Sequence, residues 1–285
     1  MEFMIYSKEN FRIKPEYPTY PPYHVGDYLE DYFYNNFLIK MPKLNTNYIG
    51  ISWTTLYCDN KKEGLQEFLN NLPENDNYFT VSQHDDAPIE KFPKNTIIFS
   101  AGGNVQGQNI IPIPLVCSPL PQQITKNSHK PNLLACFVGS YTHPIRKILL
   151  NVCKPINDII FYMRQSTGKP LLKNEFEMFI DYALNSKFCL CPRGYGLNSF
   201  RIYESMQLGC IPVIITDKFY LPWEDELDWK DFSVLITEND IPNLEQILRS
   251  YSEEKINYMK NKINELWPIY FSLDGVYNNI IKRLK

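Results

Sequence analysis

Residues 186–217 read SKFCLCPRGYGLNSFRIYESMQLGCIPVIITD, and this stretch decides the fold. The apolar run at 188–191 has the length and flanks of a buried strand. A polar, glycine-bearing loop follows, then a helical pattern over 200–208 and a second apolar run over 211–216. Ser199 is placed to cap the helix, because its side chain can accept from a free N–H of the first turn. Gly209 is placed to end it. Gly194 and Gly196 let the loop turn and let its backbone approach a ligand closely. The unit is therefore strand, loop, helix, strand, as in a parallel α/β sheet.

In open parallel sheets, ligands sit beyond the carboxyl ends of the strands. Here that place also holds a helix N-terminus, whose free N–H groups attract phosphate. Arg193 and Arg201 stand on either side of the turn, and two guanidinium groups suit a diphosphate through forked, charge-assisted hydrogen bonds. Glu204, about one turn on, is a carboxylate that can accept both hydroxyls of a ribose. The plainer reading stays open at this point. Arg201 and Glu204 are three apart on a helix and could be a surface pair worth ~0.3 kcal/mol, and the glycines could serve the turn alone.

Working outward, strands are expected at 48–56, 78–82, 96–100 and 110–115, with helices at 27–38 and 63–70 between or before them. Pro15, Pro18, Pro21 and Pro22 mark an irregular arm. Pro119, Pro121 and Pro131 lie in a polar stretch over 117–132 that reads as a linker. A strand then starts at 133–138, a helix follows at 144–154, a short strand opens at Ile159, a helix spans 175–185, a strand covers 233–236, and 243–267 is mainly helical. The chain of 285 residues thus divides into an N-terminal half, 1–128, and a C-terminal half, 129–285. The last helical segment, about 262–285, is free to pack back on the first half.

Composition narrows the function. A net charge of −3 offers no basic field, which argues against a nucleic-acid partner. The seven cysteines include no C-x-x-C pair, so they read as reduced, buried thiols rather than zinc ligands. No basic-then-apolar leader opens the chain and no run of ~18 apolar residues occurs, so a soluble, cytoplasmic protein is expected. The 20 Tyr and 17 Phe suit either sugar-stacking surfaces or an aromatic core.

The pattern from Ser186 through the Arg193-Gly194, Gly196, Ser199, Arg201, Glu204 and Gly209 positions to Ile215 resembles the exostosin glycosyltransferases, family 47. Leu221, Pro222, Trp223 and the 227–233 segment continue the likeness. Weaker similarity lies upstream, in Phe137-Val138-Gly139 with Arg146, in 111–114, and in His84-Asp85 after an apolar strand. The resemblance implies an α/β enzyme of the GT-B type, with two Rossmann-like domains and a cleft between them. It implies an inverting transfer from a nucleotide-diphosphate sugar, by family habit a UDP-sugar and perhaps UDP-xylose, to a glycan hydroxyl. The C-terminal half would hold the donor and the N-terminal half the acceptor. By matching position, Arg193, Ser199 and Arg201 would contact the diphosphate and Glu204 the ribose, with Gly194, Gly196 and Asn198 also in the donor-binding site. Arg146 is a further diphosphate candidate. A cationic cluster would do the work of a metal, so no metal and no other cofactor is expected. Many members carry an N-terminal membrane anchor, of which this chain shows no sign.

Direct displacement needs one base in the cleft. Asp85 is the first candidate, with Asp86 and His84 as alternatives; all three could equally be a polar turn. Gly102, Gly103 and Gly107 lack the Lys-Ser/Thr of a phosphate loop, and a bare turn is the simpler reading. Glu224-Asp225-Glu226 reads as a solvated acidic loop. The competing function is a nucleotide-sugar or glycan-binding protein without catalysis.

Overall fold

The computed structural model describes residues 4–13, 29–116, 120, 131–165 and 172–285. The arm around Pro15–Pro22 and most of the 117–132 linker lie outside the described residues. Among the described residues the chain forms two five-stranded sheets, and every strand pair is parallel.

The first sheet contains β1 (Ile5–Tyr6), β2 (Asn47–Ile49), β3 (Tyr78–Ser82), β4 (Thr96–Ser100) and β5 (Ile110–Pro112), side by side in chain order. Its alternation sorts the side chains onto two faces. Tyr48, Phe79, Val81 and Phe99 face helix α1 (Leu29–Lys40), whose Phe33 and Phe37 rings pack on Tyr48 and Phe79. Ile49 and Tyr78 face the other way, into a separate cluster under α2 (Trp53–Cys58) and α3 (Leu65–Asn70).

The expected strand over 48–56 stops at Ile49. Trp53 starts a helix instead, because its indole is fully buried and donates to Thr80 Oγ1 at 2.8 Å. That partner is 27 residues away, so no local pattern announces it. The expected strand over 110–115 also shortens, ending at Pro112, since prolines at 112 and 114 cannot donate to a ladder.

The second sheet contains β6 (Leu133–Ser140), β7 (Ile159–Arg164), β8 (Ser186–Pro192), β9 (Ile211–Ile215) and β10 (Val234–Ile236). Its strands β8 and β9 are buried on both faces, which explains their continuous apolar runs. The helices α4 (Pro144–Cys153), α5 (Lys173–Leu184) and α6 (Phe200–Gln207) connect them. The order is β7-β6-β8-β9-β10. Chain direction across the sheet therefore reverses between β6 and β8, and this switch point is where such sheets open a crevice for ligands. Cys136, Cys153, Cys189, Cys191 and Cys210 are buried thiols, while Cys58 is exposed, unlike the buried thiol the sequence suggests.

Two helices, α7 (Leu244–Arg249) and α8 (Glu253–Leu266), lead to a final helix, α9 (Leu273–Arg283). Its Tyr277 ring lies 5.0 Å from Phe33 of α1, and Lys40 of α1 pairs with Asp274. The acidic run Glu224-Asp225-Glu226 before it is exposed, as the sequence suggests, and two of its carboxylates also hold the C-terminal helix. Arg283 pairs with Asp225 and Glu226 at 2.7 Å, and Lys282 and the Tyr270 hydroxyl also reach Glu226. The run is the dock for the C-terminal helix. No helix among the described residues is long and apolar enough to cross a membrane.

Candidate active site

The loop 193–199 leaves β8 at the switch point and crosses to the first sheet. Asn198 makes that crossing. Its side-chain amide donates to Ala101 O at 2.9 Å and its main-chain N–H donates to Gly102 O. Its Oδ1 accepts from Ser199 N–H and from the Tyr203 hydroxyl. The Tyr220 hydroxyl adds a bond to Ser100 O at 2.9 Å, and Lys218 reaches Gln106. The carboxyl edges of the two sheets thus meet directly. Two parallel α/β halves joined in this way form the GT-B arrangement that the resemblance implies.

Asp85 lies at this junction, after the carboxyl end of β3. Gly196 packs so closely on it that a Cβ at 196 would fall 2.0 Å from Asp85 Oδ1. Only glycine fits there. Gly102 is equally constrained, with a Cβ falling 2.3 Å from Asp85 Cα, so the Gly102-Gly103 segment is a wall of the junction rather than a bare turn. The Asp85 carboxyl is pushed up to about 7, first by burial and then by the neighbouring Asp86 charge; Arg193 and the Gly196 N–H pull the other way. A carboxylate poised near neutrality suits a general base. His84 packs against Tyr57 with ring centres 5.1 Å apart and planes tilted by 48°, accepts from Asp86 N–H at 3.1 Å, and is held below its usual range by burial. Asp86 accepts from Asn104 at 2.9 Å.

On the other side of the junction, two helices open toward Arg193. The N-terminus of α6 is capped by Ser199, whose hydroxyl accepts from Arg201 N–H at 3.3 Å. The N-terminus of α4 is capped by His143, whose Nδ1 accepts from Ile145 N–H. No motif announces His143. Burial, then the Arg193 and Arg146 charges, hold its imidazole below the usual range, against the opposing charges of Asp217 and Glu238. Arg193 pairs with Asp217 and donates to Tyr195 O at 3.0 Å. Gly194 lies beside Arg146 and Thr142.

Three of the expected donor residues, Arg146, Arg201 and Glu204, are buried. Arg146 is buried and donates to the main-chain oxygens of Ser140, Pro192 and Arg193 at 2.8–3.0 Å. It ties the end of β6 to the end of β8 and the start of the loop. Arg201 and Glu204 are not a surface pair: they meet at 2.7 Å with side chains 10% and 3% exposed. Arg201 also donates to Val138 O at 2.8 Å and lies 3.5 Å over the Phe179 ring. Burial raises the Glu204 carboxyl, and the Arg201 charge opposes that rise. Sequence reasoning also misses Glu30. This buried carboxylate accepts from the Thr54 N–H and hydroxyl and from Gln83 N–H, directly before His84. Among the described residues, no three His, Cys, Asp or Glu side chains gather as a metal site requires.

The exostosin GT47 domain model matches residues 68–251, well over half of the chain and inclusive of both sides of this junction. The chain belongs to the exostosin GT47 family. Among its curated relatives is an Arabidopsis thaliana protein named "Probable glycosyltransferase", 38% identical over 46% of this chain and 26% of its own length. The exostosin-1 homolog of Caenorhabditis elegans is 26% identical over 48% of this chain and 36% of its own length. Exostosin-1 of Drosophila melanogaster is 40% identical over 30% of this chain and 11% of its own length. The chain therefore spans well under half the length of these exostosin relatives. Among solved structures, TarM superposes over 90% of this chain and 58% of its own, with a TM-score of 0.45 at 12% identity. Sucrose-phosphate synthase of Thermosynechococcus elongatus covers 90% of this chain and 71% of its own, with a TM-score of 0.44 at 10% identity.

Proposed function

We propose that this chain is an inverting, metal-independent glycosyltransferase that moves a hexosyl or pentosyl group from a UDP-sugar, with UDP-xylose a candidate, to a glycan hydroxyl. The observation that carries the reading is the seat of Asp85 against Gly196. A carboxyl tuned to about 7 on one half lies beside the glycine loop of the other. The diphosphate would lie beside Arg193 and the N-termini of α4 and α6, with Asp217 giving up its pairing with Arg193. Arg201 and Glu204 form the floor behind it, and Arg146 fixes the loop.

In this mechanism the acceptor hydroxyl gives its proton to Asp85 as its oxygen bonds the anomeric carbon. The bond from that carbon to the phosphate oxygen breaks in the same step. The departing diphosphate carries its charge toward Arg193 and the helix N-termini, which favour it without a metal. A single displacement inverts the anomeric centre.

Product analysis by proton NMR tests the reading. An α-linked nucleotide sugar is expected to yield a β-glycoside with one new glycosidic bond per UDP released. Release of free sugar instead would indicate hydrolysis. An unconsumed donor across a panel of nucleotide sugars and oligosaccharides would support the non-catalytic binding alternative and contradict the proposal.

A further inference from the structure

Arg193 and Asp217 are brought together by the sheet itself. Pro192 of β8 pairs with Ile215 of β9 in the parallel register, and the Arg193 N–H donates to Ile215 O at 2.9 Å. The two side chains therefore leave neighbouring strands at their carboxyl ends, where Arg193 Nη1 donates to Asp217 Oδ1. The members of this pair are unequally fixed. The Arg193 side chain is 12% exposed and also donates to the main-chain oxygens of Gly194 and Tyr195, so the loop holds it independently of Asp217. The Asp217 side chain is 49% exposed. Its turn is pinned by Thr216, whose hydroxyl donates to Lys218 O at 2.8 Å and accepts from Lys218 N–H at 3.2 Å. That hydroxyl lies farther from Asp217 Oδ1, at 3.4 Å. The carboxylate can therefore turn out to water while the guanidinium and the turn stay in place.

We infer that Asp217 is a built-in competitor for the diphosphate: it holds the Arg193 guanidinium until the donor displaces it, and reclaims it as UDP departs. The inference rests on the nucleotide-sugar reading above and deepens it, by assigning the step that clears the site for the next donor. Magnitudes favour the exchange. An ion pair with one half-exposed member is worth little, because water solvates the carboxylate when the pair opens. A diphosphate brings more charge and more acceptor oxygens to the same guanidinium. The displaced carboxylate stays close by, and like charges at short range repel. UDP carries a terminal phosphate charge that the sugar ester lacks, so Asp217 disfavours the product more than the donor. Asp217 acts through Arg193 and is a positioning residue.

Titration calorimetry with UDP, a UDP-sugar and uridine tests this. Asp217→Asn keeps the shape of the side chain and removes its charge. It is expected to bind UDP about fivefold to tenfold more tightly than the unaltered protein, mainly through slower dissociation. The UDP-sugar that most raises the melting temperature should show a smaller gain. Uridine, which has no phosphate, should bind both proteins equally. Asp217→Glu keeps the charge and should bind UDP as the unaltered protein does. A merely structural role for Asp217 would give no gain in affinity for any ligand. The inference is overturned if Asp217→Asn binds UDP no more tightly than the unaltered protein does, or if uridine gains as much as UDP. Failure of the unaltered protein to bind any of the three ligands would overturn the nucleotide-sugar reading and this inference with it.

Discussion

Replacing Asp85 with Asn is expected to lower the rate of sugar transfer by about a thousandfold while leaving the fold and UDP binding intact. Asn has the shape of Asp and packs equally closely on Gly196, so the junction should close as before. What it lacks is a site for the acceptor's proton. The pH behaviour sharpens the prediction. With the Asp85 carboxyl at about 7, transfer by the unaltered protein should fall as pH drops through 7, because the base becomes protonated. Stability should move the opposite way. A carboxyl raised from 3.8 to about 7 binds a proton in the folded state that it has lost in the unfolded state between those values. Stability then falls as pH rises through that window. Asp85→Asn removes this slope, so the variant should equal the unaltered protein near pH 4 and exceed it near pH 8. Glu30, also raised to about 7 by burial, titrates in the same range, so the comparison must be between variant and unaltered protein. Melting curves at several pH values and a transfer assay check both halves. Full activity in Asp85→Asn would move the proton acceptor to Asp86 or elsewhere.

Replacing Arg201 with Ala is expected to destabilise the protein by about 3–5 kcal/mol, a large fraction of a typical 5–15 kcal/mol stability. The guanidinium holds Glu204, the Val138 carbonyl and the Phe179 ring at once, and all of these are buried. Removing it leaves a carboxylate with 3% of its side chain exposed and no counter-charge. Glu204 is already raised by burial, and the loss of Arg201 removes the influence that opposes the rise. The folded variant therefore favours a protonated Glu204. Its deficit should be smaller at pH 5 and grow as pH rises to 8. Urea unfolding at the two pH values measures this directly. The double variant Arg201→Met with Glu204→Leu should recover most of the stability, since it leaves neither charge buried alone. On the proposed function, in which the pair backs the donor site, it should nevertheless lose the response to UDP.

Much of the fold could be read from local pattern. The unit from β8 to β9 is legible because strand, cap, helix and terminator each carry their own signal. Ser199 does cap α6, and Gly209 does take a left-handed φ of 68°. The failures share one cause, which is dependence on partners distant in the chain. Trp53 is helical because of Thr80, and Glu30 is buried among groups 24 and 53 residues away. The spacing of Arg201 and Glu204 foretold their contact, but not that Phe179 and Val138 would enclose it. Arg146 was a diphosphate candidate by resemblance, and the three carbonyls it binds have no signature in sequence. Asp85 was a candidate by resemblance; its contact with Gly196, over 111 positions of chain, belongs to the tertiary structure alone.

The most direct test of a nucleotide-sugar site at the β6–β8 switch point is a melting panel of UDP, GDP and CMP and their sugars, run on the unaltered protein and on Arg193→Ala. Ligand at about 100 times its Kd adds about 2.7 kcal/mol of stability, or a shift of roughly 5 °C for a protein of this size. The account predicts such a shift for a UDP-sugar and its loss in Arg193→Ala. No shift by any nucleotide, or an equal shift in the variant, would contradict it.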